Sequence, residues 1–304
     1  MDPLSEMLTL LNVEAALPSR FEAGGDWSLQ FLEFQHIKVG AILAGQCWIT
    51  ADGAEPLLLT TGDCYLLASA RKFGTASDLT LEPVDGHAVF EEVYPKTVYY
   101  NTTPDDPDRT VIVGGAVRFD ETTAALLLDH LPTSVRISAD TRTAKALRPL
   151  LELLGEESLH DSPGSMNVRE QLTKVLFVQA LRAMIESGDS PTGWLGALAD
   201  ESIGTALDLI HRKASHRWTV AELAEQVGMS RSSFALRFKN LVGLPPLDYL
   251  ARWRIQAAGR ALRSTDRTVY SVATEFGYGS ESAFSAAFKR VTGQSPARYR
   301  QLPR

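Results

Sequence analysis

Two short stretches carry the side chains that a polyanion with hydrogen-bonding edges would need. The first contains Arg231, Ser232, Ser233, Ala235, Leu236, Arg237 and Lys239; the second contains Ser282, Ser285, Ala286, Lys289 and Arg290. If Phe234 and Phe238 face inward, Ser232, Leu236 and Lys239 fall outward, with Ser233 and Ala235 flanking. If Phe284 and Phe288 face inward, Ser282, Ala286 and Lys289 fall outward, with Ala283 and Ser285 flanking. Arg231, Arg237, Lys239, Lys289 and Arg290 suit phosphates, which position a duplex without reading it. The serines can bond either base type, and Leu236 and Ala286 can meet thymine methyls.

Something must hold these stretches, and it is present twice. Thr219–Val220, Ala224 and Gly228 recur as Thr268–Val269, Ala273 and Gly277, all 49 apart. Ser230, Phe234, Phe238–Lys239, Gly243, Pro246 and Tyr249 recur as Ser280, Phe284, Phe288–Lys289, Gly293, Pro296 and Tyr299, all 50 apart. A solenoid takes three or more repeats, so a duplicated small module is the better reading. In each copy an apolar helical face (Val220, Leu223, Ala224, Val227) ends at a glycine, Gly228, that takes a positive φ without cost. Ser230 then caps a second helix, with Phe234, Phe238 and Leu241 inward. That is the grammar of helix-turn-helix; an ordinary α-hairpin in a helical bundle is the competing reading. Between the copies, Leu247, Leu250, Ile255, Ala258 and Leu262 keep a helical period after Pro246. About 17 residues give roughly 25 Å of helix. That connector is stiff enough to hold two recognition helices near one DNA turn apart, roughly 34 Å.

This segment resembles the AraC/XylS family of bacterial transcription regulators. The likeness covers about 100 residues, from Ile203 to Arg300; RWRIQAAGRAL resembles the connecting helix and GYGSESAFSAAFKRVTGQSPARYR the most recognisable stretch. The resemblance implies sequence-specific binding of double-stranded promoter DNA, with RNA polymerase as a further partner. Similar proteins mostly activate transcription; the sign is not written in these residues. Relatives often carry Arg where this chain has Leu236 and Ala286, and Arg pairs bidentately with guanine. An A·T-leaning or weakly base-specific reading is therefore expected, above all from the second module.

Charge divides the chain of 304 residues in the same way. Residues 201–304 carry 16 Lys and Arg against 8 Asp and Glu, a net of +8; residues 1–200 carry 14 against 29, a net of −15. A basic half suits phosphates, and the acidic half repels nucleic acid. Residues 26–119 read as short strands: WSLQFLEF, HIKVGAIL, GQCWIT, CYLLAS, AVFEEV and RTVIVGGAVRF, with glycine breaks near several of them. GAILAGQCWITADGAEPLLLTTGDCYLLAS resembles the cupin barrel of the AraC-binding type. A barrel of that size is filled by side chains or holds one small ligand. Phe34, His36, Trp48 and Tyr65 are the candidates to line such an effector site.

Many cupins hold a metal through His-x-His and a later Pro-x-Gly segment. Here His36 stands alone, no His or Pro follows Gly62–Asp63 in CYLLASARKFGTASD, and His87 is away from both motifs. Three or four converging ligands are required, so no metal and no other cofactor is expected. No P-loop, G-x-S-x-G, C-x-x-C or H-E-x-x-H is present, which argues against an enzyme. Cys47 and Cys64 leave a redox-responsive regulator as the alternative, although no basic neighbour favours either thiolate. A protein scaffold that uses only its helices would show no salt-dependent DNA binding.

From Thr122 the chain turns helical through TTAALLLDHL, TAKALRPLLELLGEES and PGSMNVREQLTKVLFVQALRAMIESGD, with Pro149 a point where the second would kink. The broad apolar face from Val168 to Leu181 suits a homodimer interface, packing on the barrel, or both. His211 and His216 are five apart and do not share a helix face.

The expected architecture has two domains: an N-terminal all-β cupin-like barrel plus linking helices, and a C-terminal all-α domain with two helix-turn-helix modules. Residues 1–120 form the effector-sensing barrel, 121–192 the linking and dimerising helices, and 193–304 the DNA-binding domain. Within it helix-turn-helix 1 lies at 219–243, the connecting helix at 246–264 and helix-turn-helix 2 at 268–293. No run of 18 apolar residues and no basic leader occurs, so a cytoplasmic, nucleoid-associated protein without membrane contact is expected.

Overall fold

The computed structural model describes residues 2–10, 13–32, 37–68, 72–91, 93, 96–119, 131–160, 162–186 and 193–301. Its contacts divide the chain into two units. One gathers residues 13–119 and 131–187; the other gathers residues 1–12, 120–130 and 188–304. The helices expected as a separate 121–192 linker thus split between the two, and the first residues group with the C-terminal half. The helix expected at 122–131 lies almost wholly outside the described residues. No helix among the described residues is long and apolar enough to cross a membrane.

The chain opens with α1 (Pro3–Leu10) and enters the first unit at β1 (Glu14–Ala23). There follow β2 (Ser28–Leu32), β3 (Ile37–Ala44), β4 (Gln46–Ala51), β5 (Leu57–Thr60), β6 (Cys64–Leu67), β7 (Lys72–Ala76), β8 (Val84–Asp85), α2 (Gly86–Glu91), β9 (Val98–Tyr100), β10 (Thr110–Arg118) and β11 (Ser134–Ile137). Two sheets result, ordered β11-β6-β3-β10-β1-β9 and β5-β4-β7-β2-β8. Their inner faces share one core that includes Phe21, Leu29, Ile42, Ile49, Leu59 and Phe73.

Three strand expectations need correction. AVFEEV is not a strand, because Val89–Glu91 belong to α2. The Asp85 carboxylate accepts the His87 N–H at 2.9 Å and turns the chain, and Phe90 then stacks on Phe21. The β region also starts earlier and ends later than 26–119. In β1 the register with β10 shifts between Ala16 and Ser19, around Pro18, which has no N–H to give a ladder. β11 joins the sheet through β6, and Asp63 secures that corner: its carboxylate takes N–H groups from Thr60 and Ala139 and pairs with Arg136 at 2.9 Å.

Helices α3 (Arg142–Leu159) and α4 (Ser165–Glu186) complete this unit. α3 runs on through Pro149. The two pack on each other and on β1, β3 and β10. Leu172, Leu176, Phe177, Leu181 and Met184 are buried, so most of the apolar face of α4 serves its own barrel. Val168 and Val175 on α4, with Leu153 and Leu159 on α3, stay exposed.

The second unit is helical: α5 (Trp194–Ala197), α6 (Glu201–Arg212), α7 (Val220–Gln226), α8 (Arg231–Val242), α9 (Pro246–Ser264), α10 (Val269–Glu275), α11 (Glu281–Thr292) and α12 (Pro296–Arg300). α9 is its spine. Phe238 meets Tyr249 edge-on at 5.8 Å at one end, while Ile255, Ala258 and Leu262 join the core of the second module at the other. α1 packs on α6 and α9 and buries Leu4 and Met7. Beside it His211 lies flat on Trp253, ring centroids 3.5 Å apart, and bonds the Tyr249 hydroxyl at 2.8 Å; burial pulls its imidazole down to about 3.

Candidate nucleic-acid interface and effector cavity

Each module presents its second helix by the same local means. Thr219 and Glu222 form a reciprocal capping box that starts α7. The chain then turns through Gly228 at φ 67°, where a side chain would be strained, and the same turn recurs at Gly277 with φ 81°. Ser230 accepts the Ser233 N–H to start α8, and Ser280 accepts the Ala283 N–H to start α11. Phe234, Phe238, Phe284 and Phe288 are completely buried. Val242 rather than Leu241 is the third inward residue of α8, at the i+8 position.

Burying the phenylalanines leaves the opposite faces bare. On α8, Arg231, Ser232, Ser233, Leu236, Arg237 and Lys239 are exposed and Ala235 is half-buried. On α11, Ser282, Ala286, Lys289 and Arg290 are exposed and Ser285 is half-buried. Leu236 is 63% exposed. Among the described residues Arg231, Lys239, Lys289 and Arg290 enter no ion pair. Arg237 does, since its guanidinium holds Asp200 at 2.9 Å, and Asp200 also caps α6 through the Ile203 N–H. The Nε and Nη2 donors of Arg237 are thereby committed to Asp200.

The barrel encloses a cavity of about 580 Å³, within the range of small-molecule sites. Phe21, Phe31, Phe73 and Phe90 form aromatic walls. Tyr65 lines it. Trp48 does not, because Cys47, Ile49 and Ala51 occupy the inward positions of β4 and Trp48 alternates to the other face, leaving Ile49 on the cavity. Phe34 and His36 lie outside the described residues. His87 stands on the cavity wall, edge-on to Phe31. Thr75 and Lys38 are among the lining residues that the sequence reading did not name. Thr75 carried no signal. Lys38 carried one: it is the lone charge in the apolar run of β3, in phase with the inward Ile42. Its ammonium lies over Phe73 at 4.8 Å and Phe31 at 5.6 Å, and burial lowers it to about 8.

Cys47 and Cys64 are buried, and burial pushes both thiols up to about 12, away from the reactive thiolate. A Cys47→Ser/Cys64→Ser double variant is expected to keep any response of DNA occupancy to oxidant. Loss of that response in an oxidant titration would restore the redox alternative.

With this geometry in hand, the comparisons with known proteins divide along the same line. A family described as Cupin matches residues 2–186, and one described as Helix-turn-helix domain matches residues 223–302. A putative AraC-like transcription regulator of Streptomyces antibioticus is 41% identical over 305 residues, covering 100% of this chain and 99% of its own. The regulator AlkR of Acinetobacter baylyi is 29% identical, with 99% of each chain covered. Among solved structures, the DNA-binding domain of AdpA, a global transcriptional factor in complex with a target DNA, is 36% identical over 30% of this chain and 82% of that one, with a TM-score of 0.29.

Proposed function

The chain belongs to the AraC family of transcription regulators, with a cupin domain followed by a DNA-binding helix-turn-helix domain, and on that premise we propose that it reads one DNA segment with both recognition helices under the control of a small effector in its barrel. The observation that carries the first half is the pair of serine-capped helices, α8 and α11, with cations and hydroxyls on their bare faces. They are joined by α9, whose 19 residues make roughly 28 Å of helix. That length matches two insertions into successive turns of one groove. The cavity supports the second half. Occupancy would act by favouring one arrangement of the DNA-binding units over another. The exposed Leu153, Leu159, Val168 and Val175 fit a homodimer through α3 and α4, which sedimentation of a Val168→Lys/Val175→Lys variant tests: it should remain monomeric where the parent associates.

Sequencing DNA recovered with the protein from its own host tests the reading as a whole. A few sharp peaks holding paired sites about one helical turn apart are expected; diffuse binding at every salt concentration would count against it. The second module should read weakly, because Ala286 offers only a methyl. Ala286→Arg restores a guanine-binding side chain and should tighten binding about tenfold or more on sites with a guanine in reach, since a good bidentate pair is worth about 1–3 kcal/mol. Unchanged affinity across a randomised-site selection at fixed salt would remove α11 from the groove.

A further inference from the structure

The cavity has a chemical bias that narrows what it accepts. Two sheets face each other across it, and their registers set the polar groups at two levels. At the outer level, next to α2, the Lys38 ammonium rests over the rings of Phe31 and Phe73, which stack 4.5 Å apart. Gly40, two residues along β3 from Lys38, pairs with Tyr65. Thr75 stands two residues along β7 from Phe73. Two residues of strand advance roughly 7 Å, so the second polar level lies that far from the first.

The second level carries two hydroxyl-bearing residues, Tyr65 and Thr75. Thr75 is only 9% exposed, and its Oγ1 has no conventional hydrogen-bond partner among the described residues; the Cys47 thiol beside it is a weak one. Tyr65 is half-buried and lines the cavity. Gly40 makes its position possible, since a Cβ there would stand 2.6 Å from the phenol oxygen. The apolar part of the remaining wall comes from Phe21, Phe90, Ile49 and Ile112.

Resting on the reading of the barrel as the effector site, we propose that its ligand class is a flat apolar acid, with its carboxylate at Lys38, its ring system between the phenylalanines, and a hydroxyl at Tyr65 and Thr75. Among the described lining residues Lys38 alone carries a full positive charge; His87 and Glu91, which also line the cavity, are exposed on α2. A carboxylate meeting a sheltered ammonium forms a charge-assisted bond, about twice as strong as a neutral one. The amide of the same acid fits the same space without that bond.

Calorimetric titration of the full chain with 6-hydroxy-2-naphthoate, 2-naphthoate and 2-naphthamide tests this. Both acids should bind at least tenfold more tightly than the amide. Lys38→Met should abolish that preference while leaving the affinity for the amide in place. Tyr65→Phe and Thr75→Val should each remove several-fold of the advantage of the hydroxylated acid over 2-naphthoate. Equal binding of acid and amide to the parent chain, a preference that survives Lys38→Met, or no binding by any of the three overturns the assignment. The effector reading fails separately: acid-selective binding that leaves the occupancy of recovered DNA unchanged would keep the ligand class and remove its regulatory role.

Discussion

Leu236→Glu is expected to reduce DNA affinity by about 30- to 1,000-fold without altering the fold. The side chain stands 63% exposed at the centre of the bare face of α8. Its replacement would forfeit the apolar contact proposed with a base edge and direct a carboxylate toward a groove lined by phosphates. Like-charge juxtaposition at an interface costs several kcal/mol, and each 1.4 kcal/mol is a factor of ten. Stability should stay within about 0.5 kcal/mol, as for other exposed substitutions. Electrophoretic mobility shift beside a thermal melt separates the two quantities. A Leu236→Glu chain that binds like the parent would place some other face of the first module against DNA.

The second large effect is structural. Phe288→Ala should cost the C-terminal unit about 3–5 kcal/mol, the usual range for deleting a buried aromatic side chain. Phe288 is fully buried, 5.4 Å from Phe284 and edge-on to Tyr299 at 5.2 Å. It also lies against Gly259 of α9, so the hole opens between recognition helix and spine. The cost is a large share of what holds a domain of this size together. Chemical denaturation followed through the five tryptophans should show a selective loss in the helical unit, while the barrel keeps its own transition. A single shift of less than about 1 kcal/mol would mean that the core refills the space.

The helical half was legible because its rules are local. The 49- and 50-residue echoes, the capping serines and Gly228 and Gly277 each act within one turn of chain, and the connecting helix expected at 246–264 is α9, Pro246–Ser264. The barrel was legible only in outline. AVFEEV reads as a strand by composition, yet the turn at Asp85 just before it and the rings of Phe21 and Phe31, which come from distant strands, favour a helix. Trp48 was placed on the cavity by its chemistry when strand parity assigns that face to Ile49. Lys38 was visible as a lone charge among apolar neighbours, but the partners that give it meaning, Phe31 and Phe73, come from the opposite sheet.

The position of α1 has a practical corollary for anyone who cuts this protein in two. Residues that begin the chain group with the unit that ends it, and Leu4 and Met7 are buried there while Glu6 lies 3.5 Å from His211. A fragment started at residue 193 discards that cover. It leaves an apolar seat on α6 and α9 open to solvent, a surface prone to self-association. Supplying residues 1–12 as a separate peptide, or fusing them ahead of 193 through a flexible tether, should recover solubility that the bare fragment lacks. A tag at the first residue sits on the DNA-binding unit, not on the barrel whose sequence it precedes.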